Sequence, residues 1–296
     1  MKARSLFLMA LALASPAVAQ RTNVLHQERS LYRNILVTQD GDERCMVFRV
    51  RQGIGRESCM FVSRPAVHAF PYTQMMLAGL FLNPNPKRVL IIGLGGGTVP
   101  TTLQAMVPGA IIDNVELDQS VVTLARDYFG FKTGPRMRVF VEDGRVFVKR
   151  RAKSGEKYDI VMLDAFDGDY IPEHMLTQEF LREVRSTMTP NGVIVANTFP
   201  KGQLYAHEST TYRSIFGPFY NMRMGNRVII GKIGTPVPMA QIRRNASAFN
   251  PTLVQAGTNA RELLDMMSTT VDWNPKARVL TDQYSPSNLL NAATVD

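Results

Sequence analysis

The sequence predicts an α/β protein, an open sheet of parallel strands with helices between them, preceded by a small antiparallel β unit. Three observations carry this expectation. From His68 to about Lys232 apolar runs alternate with helix-like stretches, the pattern of parallel strands joined by right-handed crossovers. One run, Arg88-Val-Leu-Ile-Ile92, empties into Gly93-Leu94-Gly95-Gly96-Gly97, where a glycine backbone can pass close to a ligand and a helix start offers unpaired N–H groups. Three successive strands then end in acids: Glu116 within Asn114-Val-Glu-Leu-Asp118, Asp143 within Glu142-Asp-Gly144 after Arg138–Val141, and Asp164 after Tyr158–Leu163. That edge of an open parallel sheet is where ligands bind.

In chain order, residues 1–19 read as a cleavable leader. Lys2 and Arg4 precede the apolar run Leu6–Ala14, and Ala17-Val18-Ala19 supplies the small residues of a cleavage site before Gln20, which predicts export to the periplasm or beyond the cell. The run is too short to span a bilayer and no lipobox cysteine follows it, and no later segment is long and apolar enough to cross a membrane. Loss of Lys2 and Arg4 takes the formal charge from +9 to +7. No basic stripe interleaved with aromatics accompanies that charge, so nucleic acid is not an expected partner.

Residues 20–67 form the small β unit. Between about Ser30 and Pro65, Ile35–Thr38, Met46–Val50 and Met60–Val62 alternate apolar and polar residues as strands do. Cys45 and Cys59, the only cysteines, are equidistant from a turn centred near Gln52. They can face each other as a disulfide in an exported protein, or stay two buried thiols. Residues 68–235 make the main sheet, continued by Gly192–Asn197 with Asn226–Gly231 as its last strand, and in the 236–296 tail one modest helix is expected at Ala260–Met267.

The glycine loop departs from the dinucleotide fingerprint, which wants a glycine where Thr98 stands; it looks more like the nucleoside loop of S-adenosylmethionine-type enzymes. Glu116, ending its strand, can accept both ribose hydroxyls. Asp164 and Asp167, three apart after an apolar strand, can simply cap the turn that follows. Asp143 before Gly144 is likewise a common turn signal. His68 and His174 have no companions at metal-ligand spacing, and no serine or cysteine sits in a nucleophile setting, so no metal is expected.

Taken together, these segments resemble the polyamine aminopropyltransferase (spermidine synthase) family, and most closely its spermidine synthase-like branch. The likeness runs from about Ser30 to Lys232, with a fainter echo in Leu280–Pro286. It rests on Tyr72-Thr-Gln-Met75, Pro84–Gly93, Val115–Asp118, Glu142–Gly144, and Asp164-Ala-Phe-Asp167 followed by Leu176–Phe180. The resemblance implies an S-adenosylmethionine-methyltransferase-like Rossmann sheet. It also implies transfer of an aminopropyl group from decarboxylated S-adenosylmethionine to an amine such as putrescine, without a metal. Asp164 then matches the proton acceptor and Asp167 the second amine-binding acid. Glu116 matches the ribose ligand, Asp143 and Gly144 the adenine site, and Gly93 and Gly95 the close approach to the methionine-like portion. Tyr72 and Gln74 match the wall where amine and aminopropyl group meet.

The chain departs from the family pattern at three points. The fourth loop position, usually an acid that holds the substrate's amino group, is Gly96, which leaves room near a donor carboxylate. Thr73 and Gln74 replace a polar and acidic pair after the tyrosine, and the mature chain is basic. Three readings stay open: aminopropyl transfer, a methyltransferase-like enzyme using intact S-adenosylmethionine, and an exported non-catalytic protein binding a nucleoside or polyamine. Assembly as a homodimer also stays open.

Overall fold

The computed structural model describes residues 23–50, 53–165 and 172–292, which fold into two sheets. The expected leader and its cleavage site at Gln20, the hairpin centre at Gln52, and Asp167 lie outside the described residues.

The N-terminal sheet has four antiparallel strands in sequence order: β1 (Asn23–Arg29), β2 (Asn34–Asp40), β3 (Glu43–Val50) and β4 (Gly53–Phe61). It is more than the expected hairpin unit. β1, Asn-Val-Leu-His-Gln-Glu-Arg, is largely polar and half exposed, so it shows no apolar period. β4 begins well before the strand expected at Met60. Both faces of the sheet are covered. Ile35, Val37, Met46 and Phe48 pack on one side against Val121, Leu124 and Phe129, and Leu36, Cys45, Val47 and Cys59 on the other against Ala69 and Phe70. In the β3–β4 register Cys45 stands opposite Cys59 and the two sulfurs are bonded.

The second sheet has the order β10-β11-β9-β8-β5-β6-β7. β5 (Arg88–Ile92), β6 (Ile111–Glu116), β7 (Met137–Val141), β8 (Tyr158–Leu163) and β9 (Met188–Thr198) are parallel. β10 (Phe219–Met224) and β11 (Asn226–Lys232) complete it as an antiparallel pair. β11 is therefore internal and β10, not foreseen, is the edge. The strand order reverses between β5 and β8, so their carboxyl ends diverge around a crevice.

Helices cover both faces, and alternate strand residues sort between them as the two-residue period requires. Val89, Ile91, Ile160, Met162, Val193 and Val195 pack under α1 (Pro71–Met76), α2 (Gly79–Leu82) and α3 (Thr98–Met106). Leu90, Ile92, Val161, Leu163, Ile194 and Ala196 pack on the other face, which carries α5 (Gly144–Ser154), α6 (Gln178–Ser186) and α7 (Leu204–Phe216); α4 (Gln119–Phe129) lies against the N-terminal sheet. Met75 and Met76 are core residues.

The tail differs from expectation. α8 (Met239–Gln255) is a long helix whose Ile242, Ala246 and Leu253 join the main core, followed by α9 (Ala260–Met266) and α10 (Ser287–Ala292). Pro251 inside α8 and a buried Asn245 obscure its apolar stripe. Among the described residues no helix is long and apolar enough to cross a membrane.

Candidate active site

Hydrogen-bond ladders run one residue past the strands: Gly93 N–H donates to the Val115 carbonyl at 2.8 Å and Asp164 N–H to the Ile92 carbonyl at 2.8 Å. Gly93 adopts φ +98°, and a Cβ there would stand 2.0 Å from the Asp164 carbonyl oxygen. Only glycine lets the loop turn this close to the end of β8.

A cavity of about 590 Å³ opens where β5, β6 and β8 end. Its walls include Tyr72, Gly93, Gly95, Glu116, Asp143, Gly144 and Asp164, so seven of the residues singled out in the sequence meet at one place. Glu116 is fixed by two backbone donors, Leu94 N–H on Oε2 at 3.1 Å and Asp118 N–H on Oε1 at 3.0 Å. A carboxylate has about four acceptor sites, so two remain for a ligand. Burial pushes its pKa up, against those two bonds.

Asp164 is held from two sides. Asn197 Nδ2 donates to Oδ1 at 3.0 Å, while Asn197 Oδ1 accepts from Asn226 at 3.1 Å, and the Tyr72 hydroxyl donates from the opposite wall. Burial pushes the Asp164 carboxyl up, the bonds from Asn197 and Tyr72 pull it back and the charges of Glu57 and Glu116 push it up further, which together leave it at about 7. Tyr72 is held protonated by burial first and by the Asp164 charge next, so it remains a donor. Asp143 is indeed a helix cap: Oδ1 accepts from Val146 N–H at 2.9 Å. Its Oδ2 lies 3.2 Å from His174 Nε2 at the cavity rim.

Two expectations fail here. Gln74 is not in the cavity, because its side chain turns back and donates to the Ala256 and Gly257 carbonyls at 3.1 and 3.3 Å; it ties α1 to the end of α8. Gly96 does not leave room either. A Cβ there would meet Ser58 Oγ at 2.7 Å and the Phe129 ring at 3.0 Å, and Gly96 N–H donates to Ser58 Oγ at 2.9 Å. His68 is a buried neutral core histidine bonded to Thr73 and Thr102, its pKa lowered to about 4 by burial.

The structure adds residues that the sequence did not single out. Asn197 ends β9 at the same sheet edge as the acids and was legible by that rule. Glu57 and Ser58 were not: they sit where β4 carries one extra residue, Met46 pairing with Ser58 and Val47 with Arg56. Glu57 and Tyr72 also border a second cavity of about 460 Å³, lined further by Phe70, Asn197, Phe199 and Asn226. The first cavity's charged lining is mostly acidic, with Glu57, Glu116, Glu142, Asp143 and Asp164 against Arg33. A basic chain thus presents a locally negative cleft, suited to a cation.

Fold and cleft together are those of the S-adenosylmethionine-methyltransferase-like class of Rossmann proteins. Residues 69–214 match the Spermine/spermidine synthase domain. Over 291 residues the chain is 42% identical to the polyamine aminopropyltransferase of Vibrio vulnificus (strain CMCP6), covering 96% of this chain and 97% of that one. The chain belongs to the polyamine aminopropyltransferase family, and is a transferase of that family. A probable spermidine synthase from Corynebacterium glutamicum superposes with a TM-score of 0.63 at 19% identity, covering 87% of this chain and all of that one, a likeness of fold. Human methyltransferase-like protein 13, solved in complex with SAH, gives 0.58 at 28% identity over 63% of this chain and 93% of that one.

Proposed function

We propose that the chain moves the aminopropyl group of decarboxylated S-adenosylmethionine to a small amine such as putrescine, with Asp164 as proton acceptor. One observation carries this: Asp164 faces the nucleoside-sized cavity while Tyr72 and Asn197, which hold it, face the second cavity. A base so placed lies between donor and acceptor.

The acceptor's ammonium gives a proton to the Asp164 carboxylate, and the freed lone pair attacks the carbon next to the sulfonium. The carbon–sulfur bond breaks, its electron pair stays on sulfur, and neutral methylthioadenosine leaves. A free alkylammonium titrates near 10.4 and an unperturbed aspartate near 3.9, so proton transfer between them costs about 9 kcal/mol. Raising Asp164 to about 7 removes roughly 4 kcal/mol of that, and desolvation of the amine lowers its own pKa in the helpful direction.

In this reading Glu116 holds the ribose hydroxyls, Asp143 and Gly144 border the adenine, Gly93 and Gly95 lie along the methionine-like chain, and Asp167, outside the described residues, keeps the role of second amine-binding acid that the resemblance implies. Among the described residues the one cluster of three ligand-type side chains is Glu43, Cys45 and Cys59, and both thiols are consumed by the disulfide. Purified protein with putrescine and decarboxylated S-adenosylmethionine should release methylthioadenosine, and Asp164→Asn should reduce turnover by about a hundredfold or more. Release no greater than that of Asp164→Asn removes the reading.

The solved methyltransferase relative bound to SAH favours a second reading, use of intact S-adenosylmethionine. Calorimetry with both sulfonium nucleosides separates the two, the tighter ligand naming the donor. We propose also that the mature chain begins at Gln20 outside the cytoplasm, a reading that the leader pattern and the Cys45–Cys59 bond support. Amino-terminal sequencing of cell-derived protein checks it, and an intact Met1 would refute it.

A further inference from the structure

Gly96 stands at the loop position that, in the family the sequence resembles, usually carries an acid for the substrate's amino group. Ser58 closes that position by filling the space and accepting the Gly96 N–H. The residue before Ser58 is Glu57, and the two share a β-bulge. Along a regular strand, neighbouring side chains point to opposite faces, so Ser58 on the glycine loop would send Glu57 away from the cleft. The extra residue in β4 cancels that alternation and re-aims a side chain, as bulges beside active sites do. Both Glu57 and Ser58 consequently line the 590 Å³ cavity. The bonded pair Cys45–Cys59 is the next step in the same ladder, holding the two strands together beside the bulge.

Glu57 stands where the cavity passes into its neighbour: with Tyr72 it belongs to both, and its charge acts on Tyr72 and on Asp164. On the aminopropyl-transfer reading the nucleoside is held by Glu116 and Asp143, which line the first cavity and not the second. A sulfonium nucleoside with its ribose on Glu116 and its reacting carbon near Asp164 extends its aminopropyl chain toward this seam.

We propose that Glu57 is the carboxylate that receives the terminal ammonium of the donor's aminopropyl group, and that it selects the decarboxylated sulfonium over the intact one. The proposal rests on the aminopropyl-transfer reading of the site. Attraction between Glu57 and the ammonium serves both nucleosides, but intact S-adenosylmethionine also brings an α-carboxylate to the same place, where a like charge repels it. The bulge thus exchanges the loop acid for a β4 acid, with Ser58 filling the vacated space.

Methylthioadenosine keeps the nucleoside and sulfur but lacks the aminopropyl group, so it reads the cavity without reading Glu57. Calorimetry with the full-length mature protein should show Glu57→Gln weakening decarboxylated S-adenosylmethionine by roughly tenfold or more, leaving methylthioadenosine within about twofold, and narrowing the preference over intact S-adenosylmethionine. Glu57→Asp, which keeps the charge on a shorter arm, should recover part of the loss. If Glu57→Gln leaves donor affinity unchanged and raises only the KM of putrescine, the proposal is overturned and Glu57 belongs to the acceptor. Equal loss of all three nucleosides means the bulge has a structural role alone, which also overturns it. Failure of the wild type to bind methylthioadenosine would instead sink the nucleoside reading, and this proposal with it.

Discussion

Asp164 joins two measurements through one number. If it must be ionised to accept a proton, kcat/KM at fixed substrate should rise with pH through about 7 and then level. The same raised pKa sets the sign of a stability effect. Between an unfolded value near 3.9 and about 7, the folded protein binds more protons than the unfolded chain, so this carboxyl's stabilising contribution is complete below that window and is lost as pH rises through it. The full shift corresponds to at most about 4 kcal/mol, and water reaching the cavity reduces it. Asp164→Asn should therefore flatten the fall in stability between pH 4 and 8, measured by urea unfolding; an unchanged slope would place the shift elsewhere. Glu116 makes a separate case. Its bonds to Leu94 and Asp118 survive in Glu116→Gln only where the amide oxygen sits, so methylthioadenosine affinity should drop roughly ten- to a hundredfold. Unchanged affinity would reduce Glu116 to an organiser of the loop.

At the scale of elements, the short C-terminal segment before α10 matters more than its length suggests. Leu280 is buried with Leu176 and Leu204, and its carbonyl accepts Gln178 N–H at 2.8 Å. Asp282 takes a two-pronged bond from Arg145 at 2.8 and 2.7 Å and another from Thr177 Oγ1 at 2.6 Å, and these partners, Arg145 foremost, hold its carboxyl down to about 2. Arg145 also donates to the His174 carbonyl. The segment thus straps down the Pro172–Thr177 stretch, whose Pro172, His174 and Met175 wall the cavity. Arg145 is largely buried and Asp282 half exposed, so Asp282→Asn should cost about 1–2 kcal/mol, between a surface and a buried pair. Methylthioadenosine affinity should fall with it. Stability lost without any change in affinity would make the strap a fold element only. From sequence this segment gave only a faint likeness, since a strap has no period to detect. For the same reason β1 escaped notice, and α8 did because Pro251 and Asn245 interrupt its apolar stripe, whereas the continuous apolar runs of β5, β6 and β8 could scarcely be read as anything else.

For the whole molecule, most of the candidate site was legible because one rule covers it: acids and glycines at the carboxyl ends of parallel strands converge when the strands pair side by side. That rule reaches Gly93, Glu116, Asp143 and Asp164. It cannot reach Glu57, which depends on one inserted residue in another sheet, or Gln74, whose direction is set by α8, nearly two hundred residues along the chain. The reversal of strand order between β5 and β8 also has a kinetic consequence. Arg88 pairs with Ile111, 23 residues on, whereas Val89 pairs with Ile160, 71 residues on. Closing the longer loop costs about 1 kcal/mol more, since each doubling of length adds about 0.6, so β5–β6 pairing should outpace β5–β8 by several-fold during refolding. Pulse-labelled hydrogen exchange should accordingly protect the amides of the β5–β6 ladder before those joining β5 to β8. The cleft between Gly93 and Asp164 comes into being with that later pairing, and a refolding chain should acquire nucleoside affinity only after much of its ellipticity has returned.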